Sequence, residues 1–138
     1  MPLTFARVGG VPEVVSAYWA QHRLSSGDRA SRLRAESDEF GWASDVVVDA
    51  VAEGSVQVLT LLDALLDAPE ADPCYLGAGP VEELLVTHGS RFAADIALRC
   101  RQSAAWRDAV ACVWLSDAEE QAVALLRPFL PSRERRDK

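Results

Sequence analysis

Apolar residues recur at helical spacing almost from end to end of this chain, and that regularity restricts it to packed helices. Val11, Val14, Val15, Tyr18, Trp19 and His22 fall at i, i+3, i+4, i+7, i+8 and i+11, which is one face of a helix. Pro12 suits its first turn and Gly27 lies beyond its end. Asp28 can cap a second, Arg-rich helix through Ser37, whose few apolar residues, Ala30, Leu33 and Ala35, place it on the surface. Trp42, Val46, Val47, Ala50 and Val51 form the next stripe. The run Val46-Val47-Val48 is β-branched and would suit a strand. The 3.6-residue period and the shared polar face of Asp45 and Asp49 predict a helix instead.

Gly54-Ser55 breaks and re-caps the chain, and Val58, Leu59, Leu62, Leu65 and Leu66 then make a strongly apolar helix with Asp63 and Asp67 outward. Pro69 to Pro73 reads as a loop. In the segment Leu76-Gly77-Ala78-Gly79-Pro80-Val81-Glu82-Glu83-Leu84-Leu85, the glycines predict a sharp turn, and Pro80 then opens a helix. Glu82 and Glu83 fall in that helix's first turn, where the macrodipole favours negative charge. Val81, Leu84, Leu85 and His88 share a face. Gly89 offers a left-handed stop, and Ser90 caps a further helix carrying Phe92, Ile96 and Cys100. Ser103 caps a helix striped by Trp106, Val110, Val113 and Trp114. Ser116-Asp117-Ala118-Glu119 is a capping box for a last helix bearing Val123, Leu126 and Leu130, ended by Pro128 and Pro131.

The expected fold is therefore all-α: seven to eight short helices packed as antiparallel hairpins. Residues 42–67 and 80–101 each read as one hairpin, a HEAT-like arrangement. Residues 1–132 are expected to form a single helical domain, and 133–138 a frayed charged tail.

Charge is unevenly distributed. The net charge is −7, from 14 basic and 21 acidic residues. Between Arg34 and Arg91 there is no Lys or Arg, while that interval holds twelve of the acids. An acidic middle between mildly basic ends favours a basic protein partner and disfavours nucleic acid and anionic membranes. Asp45, Asp49, Asp63, Asp67, Glu82 and Glu83 are the candidate interaction residues. Folding back of the Arg-bearing ends would neutralise the same surface.

Catalytic templates are missing. There is no HExxH, CxxC, GxSxG or Walker-type loop. Gly77-Ala78-Gly79 contains a GxG without the third glycine or a preceding strand, and Glu82 and Glu83 would repel an anion, so a phosphate cradle is not expected. Asp45/Asp49 and Asp63/Asp67 are the pairs best placed to converge on a hard divalent cation, the requirement of a small metal-dependent hydrolase. No metal and no cofactor is expected. His22 and His88 each sit on an apolar face and read as packing residues. Trp19, Trp42, Trp106 and Trp114 read as core, with an exposed one able to anchor an interface.

Cys74, Cys100 and Cys112 form no metal spacing, and an odd count argues against a disulfide framework. Reduced, packed thiols are expected. Met1-Pro2-Leu3-Thr4-Phe5 lacks a basic region followed by an apolar core, so no signal peptide is expected and a cytoplasmic location is. Lys138 is the only Lys, Ile96 the only Ile, and Asn is absent, the usage of a GC-rich bacterial genome.

The segment from Leu76 to Leu85, with His88-Gly89, resembles the signature of a family of small bacterial proteins known only as a domain of unknown function. Its members typically read L-G-A-G-P-L-E-[DE]-L-L, then H-G. Gly77, Gly79, Pro80, His88 and Gly89 match; Val81 replaces the commoner Leu. Looser similarity extends to Trp19, Trp42, Trp106-Arg107 and Trp114, while Ser103-Ala104-Ala105 stands where an Asp-Pro pair is often found. The resemblance implies a compact helical domain and supplies no activity, cofactor or catalytic residue. The functional expectation is a non-enzymatic interaction module binding a basic protein, as an inhibitor of the immunity type would. A purely structural scaffold and a small hydrolase are the alternatives.

Overall fold

The computed structural model of the chain describes residues 11–25, 41–115 and 120–130. Among them every regular element is helical. The expected Arg-rich helix at 28–37, the capping box at 116–119 and the tail at 133–138 lie outside the described residues. The chain divides into two compact units, Met1–Ala71 and Asp72–Lys138.

In the first unit, α1 (Val11–Ser25), α2 (Gly41–Glu53) and α3 (Val58–Asp67) pack on one another. The predicted stripes face inward. Val14, Tyr18 and Trp19 of α1, Val46, Val47, Ala50 and Val51 of α2, and Val58, Leu59, Leu62, Leu65 and Leu66 of α3 are all buried. Val48 is 62% exposed, so the β-branched run is a helix with one valine outward, as the period required. Each buried side chain of this size stabilises the fold by roughly 1.5–3 kcal/mol relative to exposure.

Gly54 ends α2 at φ 63, the left-handed conformation that glycine takes without a Cβ penalty. The Gly54 N–H donates to the Val51 carbonyl (3.1 Å) and the Ser55 N–H to that of Ala50 (3.3 Å). These two bonds form a Schellman stop. The Ser55 hydroxyl then accepts the Gln57 N–H at 3.1 Å, one turn before α3.

A second polar link joins α1 to α3. The buried Trp19 indole Nε1–H donates to the Leu65 carbonyl at 2.9 Å. In a continuing helix that carbonyl would accept from residue 69, but Pro69 has no N–H to give. The indole satisfies the acceptor that proline leaves open.

The second unit comprises α4 (Pro73–Leu76), a π-helical turn (Gly77–Val81), α5 (Glu82–Gln102), α6 (Ala104–Val110), α7 (Glu120–Leu126) and a 3-10 turn (Arg127–Phe129). Helix α5 packs against both α6 and α7. Its buried face carries Leu84, Leu85, Phe92, Ala93, Ile96, Ala97 and Cys100. Ser103 caps α6 as expected, its hydroxyl accepting the Trp106 N–H at 3.3 Å. Arg107 turns back and donates from Nη1 to the Cys100 carbonyl at 2.8 Å, near the open end of α5.

Two expectations fail here. Gly89 takes no left-handed stop, Gly54 being the described glycine with positive φ; the helix breaks one residue earlier, at His88 (φ −134, ψ 31), where two helical stretches of α5 meet at a kink. The expected division of residues 80–101 into two helical stretches is therefore present, with its break at His88 rather than at Gly89-Ser90. Helix α6 ends at Val110, so Val113 and Trp114 do not continue its stripe. Val113 is buried in the following turn, whereas Trp114 is 37% exposed rather than core.

Candidate functional site

The glycine-rich segment is not a sharp turn. Leu76, Gly77, Val81 and Glu82 all hold right-handed helical backbone angles, so the chain passes from α4 into α5 without reversing direction. Pro80 lies inside this run. A proline within an α-helix lacks its N–H and its ring meets the carbonyl four residues back. The chain accommodates it by widening to a π turn, in which the Glu82 N–H reaches back to the Gly77 carbonyl. Because helix precedes them, Glu82 and Glu83 are not at a free helix N-terminus, and the dipole argument for their charge does not apply.

The two glycines of the segment have different roles. A Cβ on Gly77 would overlap the backbone carbonyl of Ala109, so α6 sits directly on the π turn with no room for a side chain. A Cβ on Gly79 would meet nothing within 4 Å. Gly89 is buried at the crossing of α5 and α7, where a Cβ would come within 3.0 Å of the Ala122 methyl. Its smallness serves helix packing.

Glu82 is half-buried, and its Oε1 accepts the Trp114 backbone N–H at 2.8 Å. The carboxylate ties the segment after α6 to the start of α5. Glu83 is exposed and accepts the Thr87 hydroxyl at 3.2 Å along its own helix. His88 is half-buried, its ring edge-on to Phe92 with centroids 6.4 Å apart. His22 stands similarly against Trp19, at 5.6 Å.

The cysteines overturn another expectation. Cys74 and Cys112 are joined by a disulfide, their Cα atoms 5.3 Å apart across a separation of 38 residues. Cys100 is the leftover thiol that made the count odd. It is fully buried and donates weakly to the Trp106 carbonyl (Sγ···O 3.8 Å). Burial pushes its pKa from 9.0 up to about 11, against a smaller opposing pull from Arg107 and Arg101. No spacing signal marked the bridge. It became visible only when α4 and the turn after α6 were placed together.

In the first unit, Asp45 and Asp49 are exposed on α2, on one face with Val48 and Glu53, which are exposed too. Asp63 is half-buried and Asp67 exposed on α3. Asp67 and Glu70 border an open groove of about 350 Å³ between the first turns of α1 and the end of α3. Its walls are otherwise mainly apolar, including Val11, Val15, Ala64 and Ala68. Among the described residues no three of His, Cys, Asp or Glu gather closely enough to hold a metal ion. Among them no helix is long and apolar enough to cross a membrane.

The model of a family described as "Family of unknown function (DUF6869)" matches residues 30–126. No curated protein and no solved structure matches the chain.

Proposed function

The chain belongs to the family of unknown function DUF6869, and we propose that it is a non-enzymatic interaction module whose acidic first unit binds a basic protein. The observation that carries this reading is the groove bordered by Asp67 and Glu70, within an interval of sequence free of Lys and Arg. An Arg or Lys of the partner would lay its methylene stem against Val11, Val15 and Ala68 and bring its cation to the two carboxylates. Asp45, Asp49 and Glu53 would supply longer-range attraction that steers the encounter.

Binding of this kind weakens with salt, because exposed charges are screened beyond about 8–10 Å. The test is capture of partners by the immobilised protein at about 0.05 M and about 0.5 M salt, with Asp67→Asn/Glu70→Gln as the comparison. A basic protein held at low salt by the wild type, and released by either change, supports the reading. Capture that is indifferent to both overturns it.

A structural role is favoured for the motif itself. Gly77 and Glu82 are both occupied in packing and hydrogen bonding within the second unit, so Glu82 belongs with the scaffold rather than with the docking residues.

A further inference from the structure

We infer that the Cys74–Cys112 bridge is a site of thiol–disulfide exchange, opened by an external dithiol that attacks Cys74, rather than a permanent staple. Three observations carry this. The first is access. Cys74 is exposed and Cys112 half-buried, so an incoming thiolate reaches the Cys74 sulfur and Cys112 is the leaving group.

The second is redundancy. A bridge that alone held its segment could not open without unfolding it. Here Leu76 on one side, and Val110, Val113 and Leu115 on the other, are buried. The Gly77 backbone packs on the Ala109 carbonyl, and the Glu82 carboxylate holds the Trp114 N–H at 2.8 Å. The two ends of the bridge therefore stay together when it is cut.

The third is isolation. A nearby free thiolate would reshuffle the bridge. Cys100 is fully buried and its thiol is held neutral to about pH 11, so it takes no part.

The exchange balances as follows. The dithiol's first sulfur bonds to Cys74 Sγ, the Cys74–Cys112 bond breaks, and Cys112 departs as a thiolate that takes a proton. The dithiol's second sulfur then attacks its own first sulfur, releasing Cys74 as a thiolate that is protonated in turn. Two electrons and two protons pass to the protein, and the dithiol becomes a cyclic disulfide.

The test is titration of the folded full chain with dithiothreitol, quenched by alkylation and read by intact mass, with circular dichroism in parallel. The expected result is a step from no labels to two, with the helical signal retained and Cys100 unlabelled. Dilution into oxidised dithiothreitol reverses it. Trp114 emission shifts over the same step, since it lies two residues from Cys112 and is exposed. Cys100→Ala is expected to show the same two-label step. A bridge that resists reduction until denaturant is added overturns the inference. So does a helical signal lost with reduction, or a third label appearing together with the first two.

Discussion

The Glu82 carboxylate and the Trp114 backbone N–H meet at 2.8 Å, joining two positions 32 residues apart. The bond is exposed but charge-assisted, so it is stronger than a neutral pair in the same setting. It converts an acidic residue of the motif into a latch on the turn that follows α6.

Glu82→Ala is expected to destabilise the protein by about 0.5–1.5 kcal/mol, the net worth of one hydrogen bond whose exposed N–H water can then reach. Glu82→Gln retains an acceptor oxygen and should cost less. Glu83→Ala should stay within about 0.5 kcal/mol, since its carboxylate accepts an exposed hydroxyl on the same helix. Urea midpoints at an unchanged slope provide the comparison. Equal losses for Glu82→Ala and Glu83→Ala would remove the latch from the account.

Gly77 and Gly79 separate steric need from conformational need. Gly77→Ala forces a methyl into the Ala109 carbonyl and should cost about 3 kcal/mol or more. Gly79→Ala meets open space in a backbone with no positive φ, and should be neutral or stabilise by about 0.5–1 kcal/mol. Thermal melts of the two variants decide it. Similar behaviour at both positions would contradict the packing described.

Trp19→Phe keeps most of the buried ring but removes the donor to the Leu65 carbonyl. Pro69 cannot supply another, so the carbonyl is left unpaired, at a cost of about 1–3 kcal/mol. Pro69 holds Ala68 in extended backbone (φ −70, ψ 144); adding Pro69→Ala lifts that restriction, so that the helix can lengthen and bring a backbone N–H at 69 to the carbonyl. A double-mutant cycle should therefore show positive coupling between the two sites; strict additivity would refute the link.

Cys100 makes stability fall as the solution becomes alkaline. In the folded protein its thiol keeps its proton up to about pH 11, whereas in the unfolded chain it ionises near the ordinary value of 9.0. Between those values the unfolded state binds fewer protons than the folded one, so the unfolding free energy decreases with rising pH. The slope is at most about 1.4 kcal/mol per pH unit. Below pH 9 the contribution is fully present. Cys100→Ala should lose this part of the pH dependence, measured as urea midpoints across the window; an unchanged slope would sink the assignment.

The sequence made the first unit largely legible. Its three described helices each bury the middle of a predicted stripe, so period alone placed Trp19, Val47 and Leu62 inward, although Trp42, expected in the core, is only half-buried, and Gly54 announced its own left-handed stop. The second unit is less legible because its decisive contacts are between distant residues. Proline after glycine has the local appearance of a helix start, yet Pro80 sits within a helix because a π turn accommodates its ring. Gly89 resembles a helix stop, yet its smallness answers to Ala122 on another helix. Cys74 and Cys112 carry no spacing motif that pairs them. Of the acidic candidates, the sequence placed Asp45, Asp49 and Asp67 correctly on the surface. It could not distinguish Glu82, which is hydrogen-bonded to backbone, from Glu83, which faces water.

The contact between Gly77 and residue 109 has an evolutionary consequence. The obstacle facing position 77 is a main-chain oxygen, and every amino acid carries one. No substitution at 109 can clear space for a side chain at 77, so the pair has no compensating double mutant. A lineage that keeps this helix crossing keeps glycine at 77, whatever else around it drifts and whatever the protein binds.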